Sequence, residues 1–498
     1  MLCTQKHGRS PVAQEPSLFP LYGRTSLNAS LPRYEFPECV MLPQTAYNMI
    51  HDELMLDGNP QLNLASFVTT WMENEARQLM ADTFDKNMID KDEYPQTAEI
   101  ESRCVNMLAH LWNAPREDGM TGCSTIGSSE ACMLAGMAMK WLWRKPRQAR
   151  GLPVDQPNLV MGINVHVSWE KFCRYWDVEP RLVPMEGERY HLSAEEAVKY
   201  CDENTIGVVA ILGSTFDGSY EPVQEIAQAL DQLQKSKGWD IPVHVDAAGG
   251  GFIAPFLQPD LKWDFCVPRV MSINASGHKY GLVYPGVGWI IWRDQSKLPE
   301  ELIFSVNYLG GSMPTFTLNF SRPGSQVIAQ YYMFLRLGRE GYIHVQRSCQ
   351  EIALYLSSEI AKLGPFTLIT SGCDLPVVTF SLQEPSNFSV FDFSKRLREH
   401  GWIIPAYTFP KNREDLSVLR IVARDGLSHD MADLLIRDMR HTLDFFASQP
   451  DYRASAHGGG FNHGISTKAK KESHAQSSKQ REEGQVAREH QGRRRRNN

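Results

Sequence analysis

Short apolar runs alternate with helical patterns through the middle of the chain, and this alternation constrains the fold more than any other feature. The apolar runs cover residues 158–165, 206–212, 242–246 and 269–274. Helical patterns lie between them at 193–201 and 222–237. Such alternation is typical of a mostly parallel sheet with helices on both faces. A further run at 287–292 follows too soon for a parallel crossover, which predicts an antiparallel strand.

The length of 498 residues exceeds what one compact core can hold, so several domains are expected. The predicted segments are an N-terminal arm at 1–60 with a short helix at 41–58, a large α/β domain at 61–325, a smaller α+β domain at 326–450, and a tail at 451–498. Other helices are predicted at 66–88, 96–113, 128–144, 326–362 (broken near Gly338 and Gly341), 390–400 and 431–446. Two more strands are predicted at 376–382 and 418–423.

Composition and charge exclude several classes of protein. The hydrophobic fraction is 42% and the charged fraction 22%, which is ordinary for a folded protein. The net charge of -7 does not favour binding to the phosphate backbone, so no nucleic-acid partner is expected. No run approaches the ~20 apolar residues that cross a membrane, and the N-terminus lacks the apolar core of a signal peptide. The ten cysteines are scattered without a CxxC pair, which favours reduced thiols in a cytoplasmic protein.

The segment Ser276-Gly277-His278-Lys279 follows a predicted strand, so Lys279 lies in a tight loop at the carboxyl edge of the sheet. Ligands bind at that edge in open α/β folds. A desolvated lysine loses part of its proton affinity and can form a Schiff base with an aldehyde cofactor. The alternative is an ordinary surface lysine.

Asp246 ends the apolar strand PVHVD. A carboxylate at the end of a buried strand is costly without a cationic partner, and a protonated pyridine nitrogen is such a partner. The alternatives are a helix N-cap or a metal ligand. His244 alternates with Asp246 on the same strand, but no further ligand cluster is near in the sequence.

Gly127-Ser128-Ser129 precedes a strong helical pattern, with Ser128 and Ser129 predicted to begin the helix as its N-cap. Backbone N–H groups and serine hydroxyls at such a position suit a phosphate, although a plain helix cap is the alternative. A phosphate cradle, an aspartate at a strand end and a lysine 33 residues later, in that order, together predict pyridoxal phosphate (PLP) as the cofactor.

The chain is similar to the glutamate decarboxylases of the bacterial, plant and fungal type, within the PLP-dependent group II decarboxylases. The resemblance extends from about Leu54 to Pro450 and is carried by runs such as TIGSSEACMLAGMAMKW, HVDAAGGGFIAPF and SGHKYGLVYPGVGWIIWR. It implies fold type I of the PLP-dependent transferases, a homodimer at least, and in some members a hexamer. It also implies α-decarboxylation of L-glutamate to 4-aminobutanoate (GABA) and carbon dioxide, with one proton consumed.

The resemblance also implies roles for individual residues. Lys279 corresponds to the Schiff-base lysine and Asp246 to the partner of the pyridine nitrogen. The remaining cofactor contacts that it implies are Ser128, Ser129, Thr215, His278 and Ser321 of the partner subunit. His166 falls where bacterial and plant members carry glutamine and other group II decarboxylases stack a histidine on the ring. The alternative for His166 is a satisfied histidine at a strand end.

For the substrate, the resemblance implies a pocket formed by Ser66, Phe67, Asn87, Asp90 and Arg420. The planar fork of an arginine suits a carboxylate, although Arg420 taken alone could equally form a surface ion pair. A substrate carboxylate close to Asp90 would favour a shared proton, which predicts higher activity at mildly acidic pH. A flat rate from acid to neutral pH would count against that role.

The tail from residue 464 carries ten Lys and Arg residues against four Glu residues and is predicted to be disordered. Plant members often bind calmodulin through such a tail, but this one has almost no apolar anchor, so calmodulin binding is not expected. Phe461-Asn462-His463 weakly resembles the C-terminal histidine with which bacterial members close their active site. Two other functions stay open: a different PLP enzyme on this fold, and a catalytically silent scaffold or binding protein.

Overall fold

The computed structural model describes residues 33–38, 40–115, 121–306, 313–383 and 386–454. The chain divides into two compact units between Pro60 and Gln61. In the first unit, helix α1 spans Pro43–Leu54, within the predicted helix at 41–58. Nearly all of the predicted tail, with His463, lies outside the described residues.

A seven-stranded sheet organises the first part of the second unit. Its strands are β1 (Thr121–Thr125), β2 (Asn158–Gly162), β3 (Glu179–Val183), β4 (Thr205–Ile211), β5 (Val243–Asp246), β6 (Val270–Ala275) and β7 (Gly288–Trp292), in the order β1-β7-β6-β5-β4-β2-β3. Strands β2 to β6 pair in parallel, whereas β7 is antiparallel to both β1 and β6. The mostly parallel sheet and its antiparallel strand are therefore confirmed.

Helices cover both faces of this sheet and pack its buried strands into one hydrophobic cluster on each face, which together form the first core. They are α2 (Asn74–Ala81), α3 (Pro95–Leu111), α4 (Ser128–Ala149), α5 (Val167–Tyr175), α6 (Ala194–Lys199), α7 (Val223–Lys237) and the short α8 (Ala254–Leu257). The predicted helix at 66–88 is wrong, because only Asn74–Ala81 is helical there. Residues before it are committed to other contacts: the N–H of Thr69 donates to the carbonyl of His278 at 2.8 Å.

A two-stranded ribbon, β8 (Phe304–Val306) with β9 (Met313–Thr315), precedes the long helix α9 (Ser325–Ala361). The predicted break in α9 occurs at Gly338, whose φ of 57° departs from helical geometry. A four-stranded sheet follows, built from β10 (Phe366–Ser371), β11 (Val377–Leu382), β12 (Ala406–Thr408) and β13 (Ser417–Val422) in the order β10-β11-β13-β12. Helices α10 (Val390–Glu399) and α11 (His429–Ala447) pack with it around a second core.

Helix α9 joins the two cores, since it gives Tyr342 to the first and Leu356 to the second. The segment after Gln61 also reaches the second sheet. The N–H of Leu64 donates to Ile403 at 3.0 Å, and the N–H of Val422 donates to Leu64 at 2.9 Å. These bonds bring the residues that follow Leu64 next to the end of β13.

Candidate active site

A cavity of about 340 Å³ opens at the carboxyl edge of the large sheet. The ends of β4, β5 and β6 and the N-termini of α4 and α5 converge on it. The predicted residues that line it are Ser128, Ser129, His166, Thr215, Asp246, His278 and Lys279. The structure therefore brings together the predicted cofactor residues of one subunit, with Ser321 as the exception.

Asp246 is buried, with 5% of its surface exposed, and its carboxylate accepts several hydrogen bonds. Trp169 Nε1 donates to Oδ2 at 2.9 Å, and Asn274 Nδ2 donates to Oδ1 at 3.1 Å. Burial alone would raise the pKa of Asp246, but the Trp169 hydrogen bond and the nearby charge of Lys279 hold that pKa below its usual value. The carboxylate is therefore ionised at neutral pH.

The alternative roles for Asp246 do not fit this geometry. The carboxylate caps none of the helices described above, although Oδ1 also accepts the N–H of Ala248 at 3.2 Å within the following turn. Among the residues that the structure describes, no cluster of three or more His, Cys, Asp or Glu side chains could hold a metal ion. Both ring nitrogens of His244 are already hydrogen-bonded, to Ser272 and Asn274.

Lys279 is half-buried in the wall of the cavity, and its Nζ lies 5.3 Å from the centroid of the Phe67 ring. Burial lowers the pKa of its ammonium, and the charge of Arg420 adds to that effect, while Asp246 opposes it. A lysine with a lowered pKa holds more of its amine in the neutral, nucleophilic form. The surface-lysine alternative is therefore wrong.

The N-terminus of α4 forms one wall of the cavity. Gly127 occupies the N-cap position and Ser128 is the first helical residue, so the predicted serine N-cap is wrong. The hydroxyl of Ser128 instead lies 2.7 Å from the hydroxyl of Ser276 across the cavity. Because no side chain caps α4, the N–H groups of Ser128 and Ser129 remain available to an anion. The ring of His278 is held beside them by donation from Nδ1 to the carbonyl of Val287 at 2.8 Å.

His166 is a hydrogen-bonded histidine that also lines the cavity. It is the N-cap of α5, where its ring accepts from the N–H of Ser168 at 3.3 Å. Its Nδ1 also lies 2.9 Å from the Ser168 hydroxyl, and the ring lines the cavity. Burial lowers the pKa of His166, as does the charge of Lys279, which keeps the imidazole neutral at pH 7.

The predicted substrate residues separate into two groups within one subunit. Arg420 and Phe67 lie beside Lys279, with the guanidinium carbon of Arg420 at 4.9 Å from the Phe67 ring centroid. Ser66 directly precedes Phe67, and its hydroxyl accepts the N–H of Val68 at 3.1 Å. The second group is Asn87, Asp90 and Ser321: Asn87 Nδ2 donates to Asp90 Oδ2 at 3.0 Å and to the Ser321 hydroxyl at 3.3 Å. Neither group is among the residues that line the cavity, although Phe67 and Arg420 lie close to Lys279, which does line it.

Trp169 and Asn274, which hold Asp246, were not predicted from the sequence. Asn274 had a detectable signal, because it is a polar residue at the end of the apolar run that pairs with the Asp246 strand. Trp169 had none, since its helix enters from a different part of the chain. Glu130 was also not predicted as a site residue, yet it lines the cavity and accepts the N–H groups of Ile126 and Leu318, each at 2.9 Å.

The chain is similar to a family model and to several known proteins. Residues 32–383 match the family model of the pyridoxal-dependent decarboxylase conserved domain. A glutamate decarboxylase of Aliivibrio fischeri is 56% identical over 463 residues, covering 92% of this chain and 99% of the relative. One of Petunia hybrida is 52% identical and covers 89% and 88%. The solved structure of a Lactobacillus brevis glutamate decarboxylase aligns with a TM-score of 0.83 at 46% identity, covering 86% of this chain and 98% of that one.

Proposed function

The chain belongs to the pyridoxal-dependent decarboxylase family, and we propose that it removes the α-carboxylate of L-glutamate, giving 4-aminobutanoate and carbon dioxide with uptake of one proton. The observation that carries this proposal is the position of Arg420. Its buried cation lies close to the same Phe67 ring as the amine of Lys279, where the distal or α-carboxylate of an acidic amino acid can be held.

The residues around the cavity fit pyridoxal phosphate. Asp246 is an ionised, buried carboxylate that forms no ion pair within the part of the chain described here, so it lacks the cation that such a charge requires. A pyridinium nitrogen supplies that cation. The uncapped N-terminus of α4 with the Ser128 and Ser129 hydroxyls would hold the phosphate, and the amine of Lys279 would hold the aldehyde carbon.

The chain's own groups then divide the work of the reaction. When bound, the cofactor supplies an electron sink for the bond pair left behind as carbon dioxide departs. Asp246 keeps its negative charge at the site of the pyridine nitrogen and so favours the protonated ring. Lys279, with its lowered pKa, can exchange a proton at the α-carbon and release the product amine. His166, held neutral at the N-cap of α5, lies where it can cover the ring.

Arg420 carries the recognition of an acidic substrate. It is 8% exposed, and it donates from Nη1 to the carbonyl of Thr215 and from Nη2 to the carbonyl of Ala65, the latter at 2.7 Å. Its Nε–H is buried and has no acceptor among the residues that the structure describes. A buried guanidinium with neutral partners and a free donor can accept a carboxylate at low cost, because its charge is otherwise uncompensated. The surface-ion-pair alternative does not fit this burial.

We further propose that the group Asn87, Asp90 and Ser321 completes the site of a second subunit. The apolar side chains of Ile126, Leu318 and Phe320 are 47%, 46% and 43% exposed, and the first two belong to segments tied to Glu130 at the cavity. Exposed apolar side chains at an active-site entrance suit coverage by another copy of the chain. This supports a homodimer. The proposal also includes further assembly of dimers into a hexamer, and it does not include calmodulin as a partner.

A cytoplasmic location is also part of this proposal. The eight cysteines at described positions are all free, which suits a reducing compartment. Among the helices described above, none is long and apolar enough to cross a membrane.

The proposal is tested with a panel of substrates. The purified protein, loaded with pyridoxal phosphate, is incubated separately with glutamate, aspartate and an aromatic amino acid, and each amine product is measured. Product from glutamate alone is expected, with loss in Lys279→Ala and full activity in the exposed-lysine control Lys262→Ala. Reaction of a different amino acid would retain the cofactor chemistry and refute the role of Arg420. No product despite bound cofactor would favour a silent scaffold.

A further inference from the structure

A chain of buried side chains that do not line the cavity is hydrogen-bonded to Asp246. Ser272 on β6, His244 on β5 and Asn274 at the end of β6 are each 0% exposed. The Ser272 hydroxyl lies 2.8 Å from His244 Nδ1, His244 Nε2 lies 2.7 Å from Asn274 Oδ1, and Asn274 Nδ2 lies 3.1 Å from Asp246 Oδ1. The proposed catalytic steps above make no use of Ser272, His244 or Asn274.

The charge of Asp246 fixes the direction of every bond in this chain. An ionised carboxylate only accepts hydrogen bonds, so the amide nitrogen of Asn274 must face it. The amide oxygen of Asn274 then faces His244, and because that oxygen only accepts, His244 must carry its proton on Nε2. Burial lowers the pKa of His244 to about 4, so the ring is neutral and its Nδ1 accepts from the Ser272 hydroxyl.

The two oxygens of Asp246 are not held equally. Oδ1 accepts from Asn274 and from the N–H of Ala248, which fill its two lone-pair directions. Oδ2 accepts one strong bond from Trp169, and its other neighbour is the weak thiol donor Cys132 at 3.8 Å. Trp169 is itself packed against the His244 ring, with centroids 5.0 Å apart. The strongest acceptor position left on the carboxylate is therefore on Oδ2.

We propose that His244 and Asn274 are positioning residues that orient Asp246 toward the cofactor through a hydrogen-bond chain with one allowed direction, which begins at Ser272. The inference rests on the proposed function only in taking pyridoxal phosphate as the bound group. It does not depend on which amino acid is the substrate, so both of its tests omit glutamate.

The first test reads the direction of the chain in the unaltered protein. Nitrogen-15 NMR of histidine-labelled holoenzyme, with His244 assigned by its disappearance in His244→Gln, reports which ring nitrogen carries the proton. The expected result is a neutral ring with the proton on Nε2. A proton on Nδ1, or on both nitrogens at neutral pH, would overturn the inference.

The second test compares two buried asparagines of the same sheet. Asn274→Leu removes the donor to Asp246, whereas Asn158→Leu removes an equally buried asparagine from the opposite edge, where it bonds Asp202 and Thr205. Both variants should lose thermal stability. Only Asn274→Leu should raise the dissociation constant of pyridoxal phosphate, by about tenfold or more, and shift the absorption of the bound cofactor.

Conservative replacement at His244 separates positioning from packing. The amide nitrogen of His244→Gln can still donate to Asn274, so cofactor affinity should stay within about threefold of wild type, while His244→Leu should resemble Asn274→Leu. Equal cofactor affinities in Asn274→Leu, Asn158→Leu and wild type would show a structural role only. Should Asn274→Leu fail to fold, the NMR result and the His244 pair still decide.

Discussion

The guanidinium of Arg420 lies over the ring of Phe67, with its central carbon 4.9 Å from the ring centroid. The amine of Lys279 lies 5.3 Å from the centroid of the same ring. The cation that would bind a substrate carboxylate and the amine that would hold the cofactor therefore lie near the same aromatic ring. The spacing arises because the segment after Leu64 is bonded to the end of β13, which carries Arg420.

Replacement of Arg420 by lysine should impair recognition of glutamate. The ammonium keeps the charge but loses the free Nε–H and the planar fork, so kcat/KM for glutamate should fall roughly 10- to 100-fold, chiefly through KM. Steady-state kinetics measure this effect. Arg424→Lys is the matched control, because Arg424 is also buried near the end of β13 but bonds Thr70 and the carbonyl of Asn63. An equal loss in both variants would assign Arg420 to folding alone.

Two inactive variants should restore activity when mixed, if each site takes residues from two subunits. Lys279→Ala disables the cavity of its own subunit, and Asp90→Ala disables the group that serves the neighbouring cavity. After random exchange in equal amounts, about one quarter of the wild-type activity should return, since half of the dimers hold one intact site. A mixture of Lys279→Ala with Asp246→Ala should stay inactive, because both changes affect the same cavity. Absence of recovery in the first mixture would contradict the shared site.

Glu130 should couple the cavity to the segment that follows β9. Its Oε1 accepts the N–H groups of Leu318 and Asn319 at 2.9 and 3.2 Å, while Oε2 accepts that of Ile126. In Glu130→Gln, the amide NH₂ must face at least one of these N–H donors, at a cost of about 1–3 kcal/mol. Hydrogen exchange of residues 316–321 should accelerate and cofactor affinity should fall. Unchanged exchange in the folded variant would refute this coupling.

The free energy of unfolding should depend on pH in the way expected for a buried neutral histidine. Burial lowers the pKa of His244 from 6.5 to about 4, so between those pH values the unfolded chain binds a proton that the folded protein does not. The contribution of His244 is complete above pH 6.5 and is lost as the pH falls toward 4. Relative to His244→Gln, the wild-type protein should lose roughly 3 kcal/mol of unfolding free energy over this range.

Chemical denaturation at several pH values measures that difference. The contributions of other titrating groups cancel in the comparison with His244→Gln, including that of the buried Glu221, whose pKa burial raises to about 7. Parallel stability profiles for the two proteins would contradict a neutral His244.

Much of the fold follows from local patterns in the sequence. The buried strands β2, β4, β5 and β6 were predictable because parallel strands covered on both faces are almost wholly apolar. Strands β1 and β3 were not predicted, since TGCST is small and polar and EPRLV is partly exposed at the sheet edge. They form strands by pairing with β7 and β2, respectively, and no local sequence pattern indicates that pairing.

Some residues of the site were likewise predictable from the sequence, and others were not. Asp246 was identifiable because a carboxylate at the end of a buried strand is costly, and Lys279 because it lies in the loop that follows another recognisable strand. The roles of Trp169 and Asn274 depend on side chains meeting across 77 and 28 residues of sequence. The separation of Asn87, Asp90 and Ser321 from the cavity was also inaccessible, since it depends on the three-dimensional path of the chain within one subunit.

The position of the carbon lost from glutamate tests the central claim most directly. The holoenzyme is given glutamate carrying carbon-13 either in the α-carboxylate or in the distal carboxylate, and the carbon dioxide released is analysed by mass spectrometry. The account predicts labelled carbon dioxide from the α-labelled substrate only, and none from Lys279→Ala. Label released from the distal carboxylate, or no carbon dioxide from protein that holds its cofactor, would contradict it.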